Sequence, residues 1–427
     1  MKKMFNKFKK TKLFKRLQKT LVYRAARTVY RKGKKLHNRW NRFYTLRILY
    51  PGIYKKNAQK PVDENKVVFI EARMPEITDS FRYMYDELAN NYNYDIKVHF
   101  LRAGFAKKKE YERLCKAMVA DIADAKYVFM NDSSNIISCL PKREETIVTQ
   151  LWHACGAFKK FGMSTADLIF GDNRKTLEKY PYHRNYTYVT VSSPEIIWAY
   201  EEAMSYDDKK GVVVAAGTSR TDYFFDKKVL DKAHKELYRV FPQAEGKKVI
   251  LYAPTFRGRV AKAKTPNKLD VRMFQEAFGD EYVLVFKHHP FVKKPPKIPA
   301  ECQDFAIDCT KTMSIEDLLC VSDICISDYS SLVFEYSLFE KPMIFFAYDL
   351  DNYYDWRGFY YDYKDFVPGP IYTTNEEMID YISNVEERFD KQKVTTFRDK
   401  FMSSCDGHAT ERIMKLVFAD SLDSHRK

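Results

Sequence analysis

From Lys66 onward the chain alternates short apolar runs with amphipathic stretches, and this alternation constrains the fold more than any other feature. The runs Val67–Ala72, Ile96–Leu101, Tyr127–Asn131, Thr146–Leu151, Tyr188–Val191 and Val212–Ala216 are too short for helices and rich enough in apolar residues for buried strands. Helical periodicity fills several of the gaps, as over Thr78–Asn90 and Lys109–Ala123. A polar stretch, Phe241–Lys248, then separates a second series: Val249–Ala253, Tyr282–Lys287, Phe305–Asp308, Ile324–Ser327 and Met343–Ala347. Strands alternating with helices predict parallel sheets covered on both faces. Two such domains in series place a ligand cleft between them, at the carboxyl ends of the strands. The expected division is a basic segment at 1–60, a front α/β domain at 61–240 and a rear α/β domain at 241–427. With 427 residues and 45% hydrophobic content, both cores can be filled.

Charge is unevenly spread. Residues 1–62 hold 21 Lys/Arg and no acid, so the remaining 73 − 21 = 52 bases face all 57 acids. The body is mildly acidic, which argues against a nucleic-acid footprint on the folded domains. In the basic segment, Phe5–Phe8 and Leu13/Phe14–Leu17–Leu21 have amphipathic-helix spacing. A Lys/Arg face opposite a Phe/Leu face suits an anionic membrane surface, with residues 1–50 as the contact. A solvated basic tail, a nucleic-acid arm or packing on another chain are the alternatives. Pro51-Gly52 is expected to break this segment from the body. There is no apolar run long enough to span a bilayer and no secretory leader pattern. Eight scattered cysteines with neither CxxC nor zinc spacing read as buried thiols of a cytosolic protein.

Polar residues of interest fall just after the expected strands. His153, in Gln150–Gly162, can face the cleft and take a proton near neutral pH, or it can be a structural histidine bonded to a turn carbonyl. The turn Gly217–Asp222 offers amides, hydroxyls and Arg220 to an anion, unless Thr221 or Asp222 simply caps a helix. Tyr252-Ala253-Pro254-Thr255-Phe256-Arg257 and Phe286-Lys287-His288-His289-Pro290 end two rear strands. Alternate strand side chains point to opposite faces, so only one of His288 and His289 enters the cleft. Zinc is disfavoured there and a phosphate contact favoured. Ser327-Asp328-Tyr329-Ser330-Ser331 runs into an apolar helix, so Ser330 or Ser331 stands where free N–H groups favour a phosphate. Glu335, about one turn further on, can accept from a ribose hydroxyl. A plain N-cap without ligand is the alternative. Asp349, Asp351 and Asp355 form a loose acidic set in which a metal is less favoured than direct phosphate contacts, and Arg357-Gly358 is a further anion contact.

Together these segments resemble the CDP-glycerol glycerophosphotransferase family of teichoic-acid synthesis, which includes ribitol-phosphate transferases. The matching pieces are the Trp-His turn (150–162), Gly217–Asp222, Tyr-Ala-Pro-Thr-Phe-Arg (252–257), His289-Pro290, Ser-Asp-Tyr-Ser-Ser (327–331) and Lys341-Pro342 through Arg357-Gly358-Phe359-Tyr360. His153-Ala-Cys-Gly-Ala departs from the His-Gly-Thr-Pro form of many polymerases. The resemblance implies two Rossmann-like domains in a GT-B-like arrangement on the cytoplasmic face of the membrane. It implies transfer of glycerol phosphate or ribitol phosphate from a CDP-alditol to a hydroxyl of a lipid-linked acceptor, with release of CMP and no cofactor or metal. His153 and His289 would be catalytic. Arg220, Asp222, Thr255, Arg257, Lys287, Ser327, Asp328, Ser330, Ser331, Glu335 and Arg357 would bind substrate. A nucleotide-sugar glycosyltransferase on the same architecture, and a non-enzymatic surface adaptor, are the competing readings.

Overall fold

The computed structural model describes residues 21–168, 171–258, 263–351, 353, 358–419 and 421–427. Among the described residues, twelve strands form two all-parallel sheets. The first holds β1 (Asp63–Glu71), β2 (Asp95–Phe100), β3 (Ala125–Met130), β4 (Ile147–Gln150), β5 (Tyr188–Thr190) and β6 (Val213–Val214), in the order β2-β1-β3-β4-β5-β6. The second holds β7 (Lys248–Tyr252), β8 (Tyr282–Phe286), β9 (Ala306–Asp308), β10 (Ile324–Ser327), β11 (Met343–Phe346) and β12 (Ile371–Tyr372), in the order β12-β11-β10-β7-β8-β9. Eleven of these lie where the apolar runs predict them. The two-residue β12 is too short to leave a periodic signal. Val67, Val68 and Phe69 are wholly buried, as central parallel strands require when helices cover both faces.

Each sheet reverses direction once, between β1 and β3 in front and between β7 and β10 behind. Neighbouring strand ends diverge at such a point and leave a crevice for ligands. Register then brings specific polar residues together. Ile70 pairs with Met130, so Glu71 ends beside Asn131. Ile326 pairs with Tyr252, so Ser327 ends beside Ala253, and its hydroxyl donates to the Ala253 carbonyl at 2.9 Å.

Two features depart from the sequence reading. The first is the path of the chain between lobes. Helix Lys227–Val240, expected in the front domain, packs on the rear helix Ile315–Val321. Helix Ala409–Phe418, expected in the rear domain, packs on the first sheet, with Ile413, Met414, Val417 and Phe418 among Phe69, Tyr127 and Phe129. The first sheet cannot cover one of its faces from residues 61–240 alone, and the last helix completes it. The second departure is Pro51-Gly52, which lies inside a helix over Tyr50–Asn57 that continues from Leu21–Phe43. A proline ring collides with the carbonyl four residues back. Here a π-helical turn over Tyr44–Leu49 precedes it, with the Tyr50 N–H bonding the Thr45 carbonyl, and the widened turn accommodates the ring. Leu46, Tyr50 and Tyr54 are buried four residues apart, on the face that meets helix Lys108–Asp121. Residues 46–57 are therefore part of the front lobe. The apolar pattern at Phe5–Leu17 lies outside the described residues.

The returning segment is pinned by backbone contacts. Gly217 has φ +89°, and a Cβ there would meet the Ser404 carbonyl oxygen at 2.1 Å. Both oxygens of Asp222 accept N–H bonds from the first turn of helix Ala409–Phe418, from Ala409 at 3.0 Å and Thr410 at 2.8 Å. Gly217→Ala therefore costs roughly 2–4 kcal/mol, and Asp222→Ala about 1–2 kcal/mol as a lost cap. Denaturant midpoints measured on both variants test this; values unchanged from the parent would show that the returning helix is not held there.

Candidate active site

His153 follows β4 by way of Trp152, whose φ of +59° is unusual for a bulky residue. Gln150 holds that turn: its Oε1 accepts from the Trp152 N–H at 3.0 Å, and its amide donates to the Asp132 carbonyl at 3.0 Å. The His153 Nδ1 lies 2.9 Å from the Asn131 carbonyl oxygen. A carbonyl can only accept, so Nδ1 carries the proton and Nε2 is left as the basic nitrogen. His153 is exposed to solvent, yet protein atoms crowd around its ring. This crowding lowers its pKa, while Asp132 and the Asn131 carbonyl act in the opposite direction.

Arg220 comes from the turn after β6 and is almost buried. Nη1 donates to the His153 carbonyl at 2.5 Å, while Nη2 lies 2.5 Å from Glu316 and 3.4 Å from Glu335 of the rear lobe. One guanidinium thus touches the residue carrying the imidazole and the rear-lobe Glu335. Burial opposes its charge, but Glu335 and Glu316 outweigh that and raise its pKa. Burial raises the pKa of Glu335, which also touches the Cys155 thiol. Asp79, at the start of a front helix, completes the group. Burial first, and the Glu316 charge second, push its carboxyl up to about 6, against the pull of Arg220.

The rear wall is built on Asp328. Its Oδ1 accepts from the Thr255 N–H at 2.8 Å, and its Oδ2 lies 2.9 Å from Arg257 Nη1. Arg257 also grips Asp349 through Nε at 2.7 Å and Nη2 at 2.9 Å, with its plane near the rings of Tyr329 and Tyr353. Asp349 is thereby committed to an arginine, and among the described residues no three His, Cys, Asp or Glu side chains are grouped to hold a metal ion. The Thr255 hydroxyl is buried without a partner. His288 is buried, 3.1 Å from the Thr265 hydroxyl, whereas His289 is half-buried beside Phe256 and Phe291, as strand alternation requires. The Phe291 N–H donates to His289 Nδ1 at 3.2 Å, which makes Nε2–H the free donor. Burial, then the charges of Lys159 and Arg73, lower the His289 pKa to about 4, so it is neutral at pH 7.

Other expected site residues are placed differently. Asp222 caps the returning helix. The Lys287 ammonium donates to the Thr310 and Met313 carbonyls. Ser327 bonds a neighbouring strand end. Ser330 and Ser331 precede helix Leu332–Ser337, with the Leu332 N–H 3.4 Å from the Ser330 hydroxyl. Arg357, with Asp355, lies outside the described residues. Residues that the sequence reading missed cluster around His153. Glu71 accepts from the Asn131 amide and from the Thr78 hydroxyl, each at 2.7 Å, and Arg73 Nε meets Asp132 at 2.6 Å. Their one legible signal is their position at or just after the ends of the two strands that flank the front reversal point.

Two parallel α/β lobes facing each other across strand ends define a GT-B-like architecture. A family model for CDP-glycerol:poly(glycerophosphate) glycerophosphotransferases matches residues 53–419, and the chain belongs to that family. It is 40% identical over 362 residues to a teichoic acid poly(ribitol-phosphate) polymerase of Bacillus spizizenii, covering 84% of this chain and 57% of that one. The chain therefore spans little more than half of that relative. A teichoic acid ribitol-phosphate primase from the same organism is 34% identical over 367 residues, covering 84% of this chain and 92% of that one. The fold matches the solved wall teichoic acid polymerase TagF with a TM-score of 0.73 at 23% identity, over 93% of this chain and 98% of that one.

The Asp79 carboxyl gives a pH-dependent prediction. Its folded-state pKa lies above its unfolded value, so the folded state binds the extra proton, and stability falls as pH rises from about 4 through 6. Asp79→Asn should thus stabilise by about 1–2 kcal/mol at pH 8 and by little at pH 4. Urea midpoints at the two pH values check this, and an equal change at both would contradict it.

Proposed function

We propose that this chain transfers ribitol phosphate from CDP-ribitol to a hydroxyl of a lipid-linked polymer acceptor, releasing CMP. The observation that carries the reading is the fixed His153 tautomer: Nδ1 bonds the Asn131 carbonyl, which leaves Nε2 as the basic nitrogen. The acceptor O–H gives its proton to Nε2 as its oxygen attacks the β-phosphorus. The bond from that phosphorus to the bridging oxygen breaks, and CMP leaves with the electron pair. General-base help of this kind contributes roughly 10²–10⁴-fold. Negative charge grows on the leaving phosphate, where fixed donors act most strongly. His289 Nε2–H, the unpartnered Thr255 hydroxyl and the Ser330–Ser331 turn are those donors. Arg257 and Asp328 build the floor beneath them. Glu335 holds the ribose, but it is buried beneath the front-lobe loop, so donor entry requires that loop to lift. Ribitol is favoured over glycerol because the relatives at 34–40% identity bear ribitol-phosphate names.

The front helix supports residence on the cytoplasmic membrane face. No described helix is long and apolar enough to cross a membrane. Over Leu21–Phe43, however, Val29, Leu36 and Trp40 are exposed at intervals of seven and four residues, on one stripe flanked by Arg and Lys. Such a face inserts among headgroups while the bases meet anionic lipid.

His153→Ala should lose at least about 100-fold in transfer while still binding CDP-ribitol; normal turnover would remove the base assignment. Supplying CDP-ribitol and CDP-glycerol together, with mass spectrometry of the product, reads the donor directly. Leu36→Asp with Trp40→Asp should release the protein from anionic vesicles and spare transfer to a soluble acceptor. Unchanged sedimentation with vesicles would eliminate this helix as the contact.

A further inference from the structure

Three front-strand ends converge behind His153. Glu71 ends β1 and Arg73 follows it, Asn131 and Asp132 follow β3, and Gln150 ends β4. The Asn131 side chain is fixed at both ends, its amide on Glu71 at 2.7 Å and its oxygen accepting from the Ala72 N–H at 3.3 Å. Its carbonyl is therefore a rigid acceptor for His153 Nδ1. The Asp132 carboxylate is held as firmly. Oδ1 accepts from the Ser133 N–H at 2.7 Å and Oδ2 takes Arg73 Nε at 2.6 Å, while Gln150 ties the Asp132 carbonyl to the His153 turn. Only 11% of the Asp132 side chain is exposed. A carboxylate buried to that degree keeps its charge only with partners nearby.

Resting on the reading of His153 as the base, we propose that Asp132, clamped by Arg73, is a positioning residue that stabilises the imidazolium formed when His153 takes the acceptor proton. It need not touch substrate. The proton stays on the imidazole, and Asp132 supplies a fixed negative charge near the ring that becomes positive. Preorganised charge of this kind needs no rearrangement at the moment of reaction. The Asp132 carboxyl is itself held below the ordinary carboxylate range. Burial pushes it up, but His153, Arg73 and the Ser133 N–H outweigh burial. The charged and titratable groups bearing on the imidazole are Asp132 from the end of β3, Arg73 from the end of β1 and Arg220 from the turn after β6. His183, whose ring lies tilted 5.4 Å from that of Trp152, feels both Asp132 and His153. Asp132 raises the basicity of His153, and the two arginines lower it.

The test is the acid limb of the pH profile of kcat/KM for transfer, measured on full-length protein. Asp132→Asn keeps the shape and the Ser133 contact but removes the charge. It should move the limb to lower pH by roughly one unit and lower kcat on the plateau about 10-fold, with KM for the CDP-alditol unchanged. Asp132→Glu, which keeps the charge, should leave the limb near its original place. Arg73→Gln should move it the other way, to higher pH. These opposite signs separate electrostatics from simple loss of structure, and Arg73→Gln carries the test if Asp132→Asn does not fold. A limb unmoved in Asp132→Asn and Arg73→Gln, or moved in the same direction by both, would overturn the assignment. His153→Ala separates the two levels. If its residual activity keeps the limb, the base reading fails and this inference falls with it; if the limb vanishes there but ignores Asp132→Asn, only the role of Asp132 is refuted.

Discussion

The structure depends on one buried guanidinium. Arg220 bonds the His153 carbonyl in front and two glutamates behind, so the front-lobe turn that carries His153 and the rear-lobe helices share one charge. A buried arginine among Glu316, Glu335 and Asp79 is a costly arrangement, and replacing such groups with apolar residues is often neutral or stabilising. Its retention is better explained by specificity. Without Arg220, the carboxylates would repel one another across the lobe interface. With it, the lobes have a preferred relative position, fixed through the backbone of His153 on one side and Glu316 and Glu335 on the other. The unbonded, buried Arg220 Nε shows that even this fit is incomplete.

Around that link, the front-lobe loop after His153 is gripped by rear-lobe aromatics. Lys160 N–H bonds the Gly358 carbonyl at 3.2 Å, and the Tyr360 N–H bonds the Phe158 carbonyl at 3.0 Å. Phe158 packs against Phe359, Tyr363 and Phe366. Gly156, at φ +64°, lies so close to Phe334 that a Cβ would sit 2.2 Å from the ring. The strained Trp152 thus sits between a rigid strand end held by Gln150 and a loop clamped from the opposite lobe. Strain of this sort persists only where the surroundings over-determine it, and here it aims the imidazole.

Much of this was legible in the sequence, for identifiable reasons. Buried parallel strands such as Val67–Phe69 and Val249–Leu251 stand out because both faces are apolar, and the polar residues after them mark the cleft side. His153, His289, Thr255 and Arg257 are singled out in that way, and the structure sets each just after a strand end. Other features were hidden because they depend on partners distant in sequence. Asp222 reads as the cap of a local helix, yet it caps one starting 187 residues later. Lys287 reads as a phosphate contact, but its ammonium satisfies the carbonyls of a neighbouring turn. Pro51-Gly52 reads as a break because propensity does not reveal a π-helical turn that makes room for the ring. Asn131 and Asp132 look like ordinary loop residues until register sets them beside Glu71, Arg73 and His153.

In the proposed reaction the two lobes contribute by different physical means, and the residues reflect the difference. In front, the requirement is a base whose proton affinity is tuned, so a histidine is surrounded by opposed charges. Behind, the requirement is to receive charge developing on a phosphate, and the proposed donors among the described residues are neutral: a histidine with a free Nε2–H, a hydroxyl without a partner and a serine turn. The full positive charge of Arg257 is instead spent on Asp328 and Asp349. A free cation on the rear wall would bind the ground-state diphosphate nearly as well as the transition state and would gain little rate. Neutral donors, held rigid by that buried ion pair, are better matched to charge that appears only as the bond to CMP breaks.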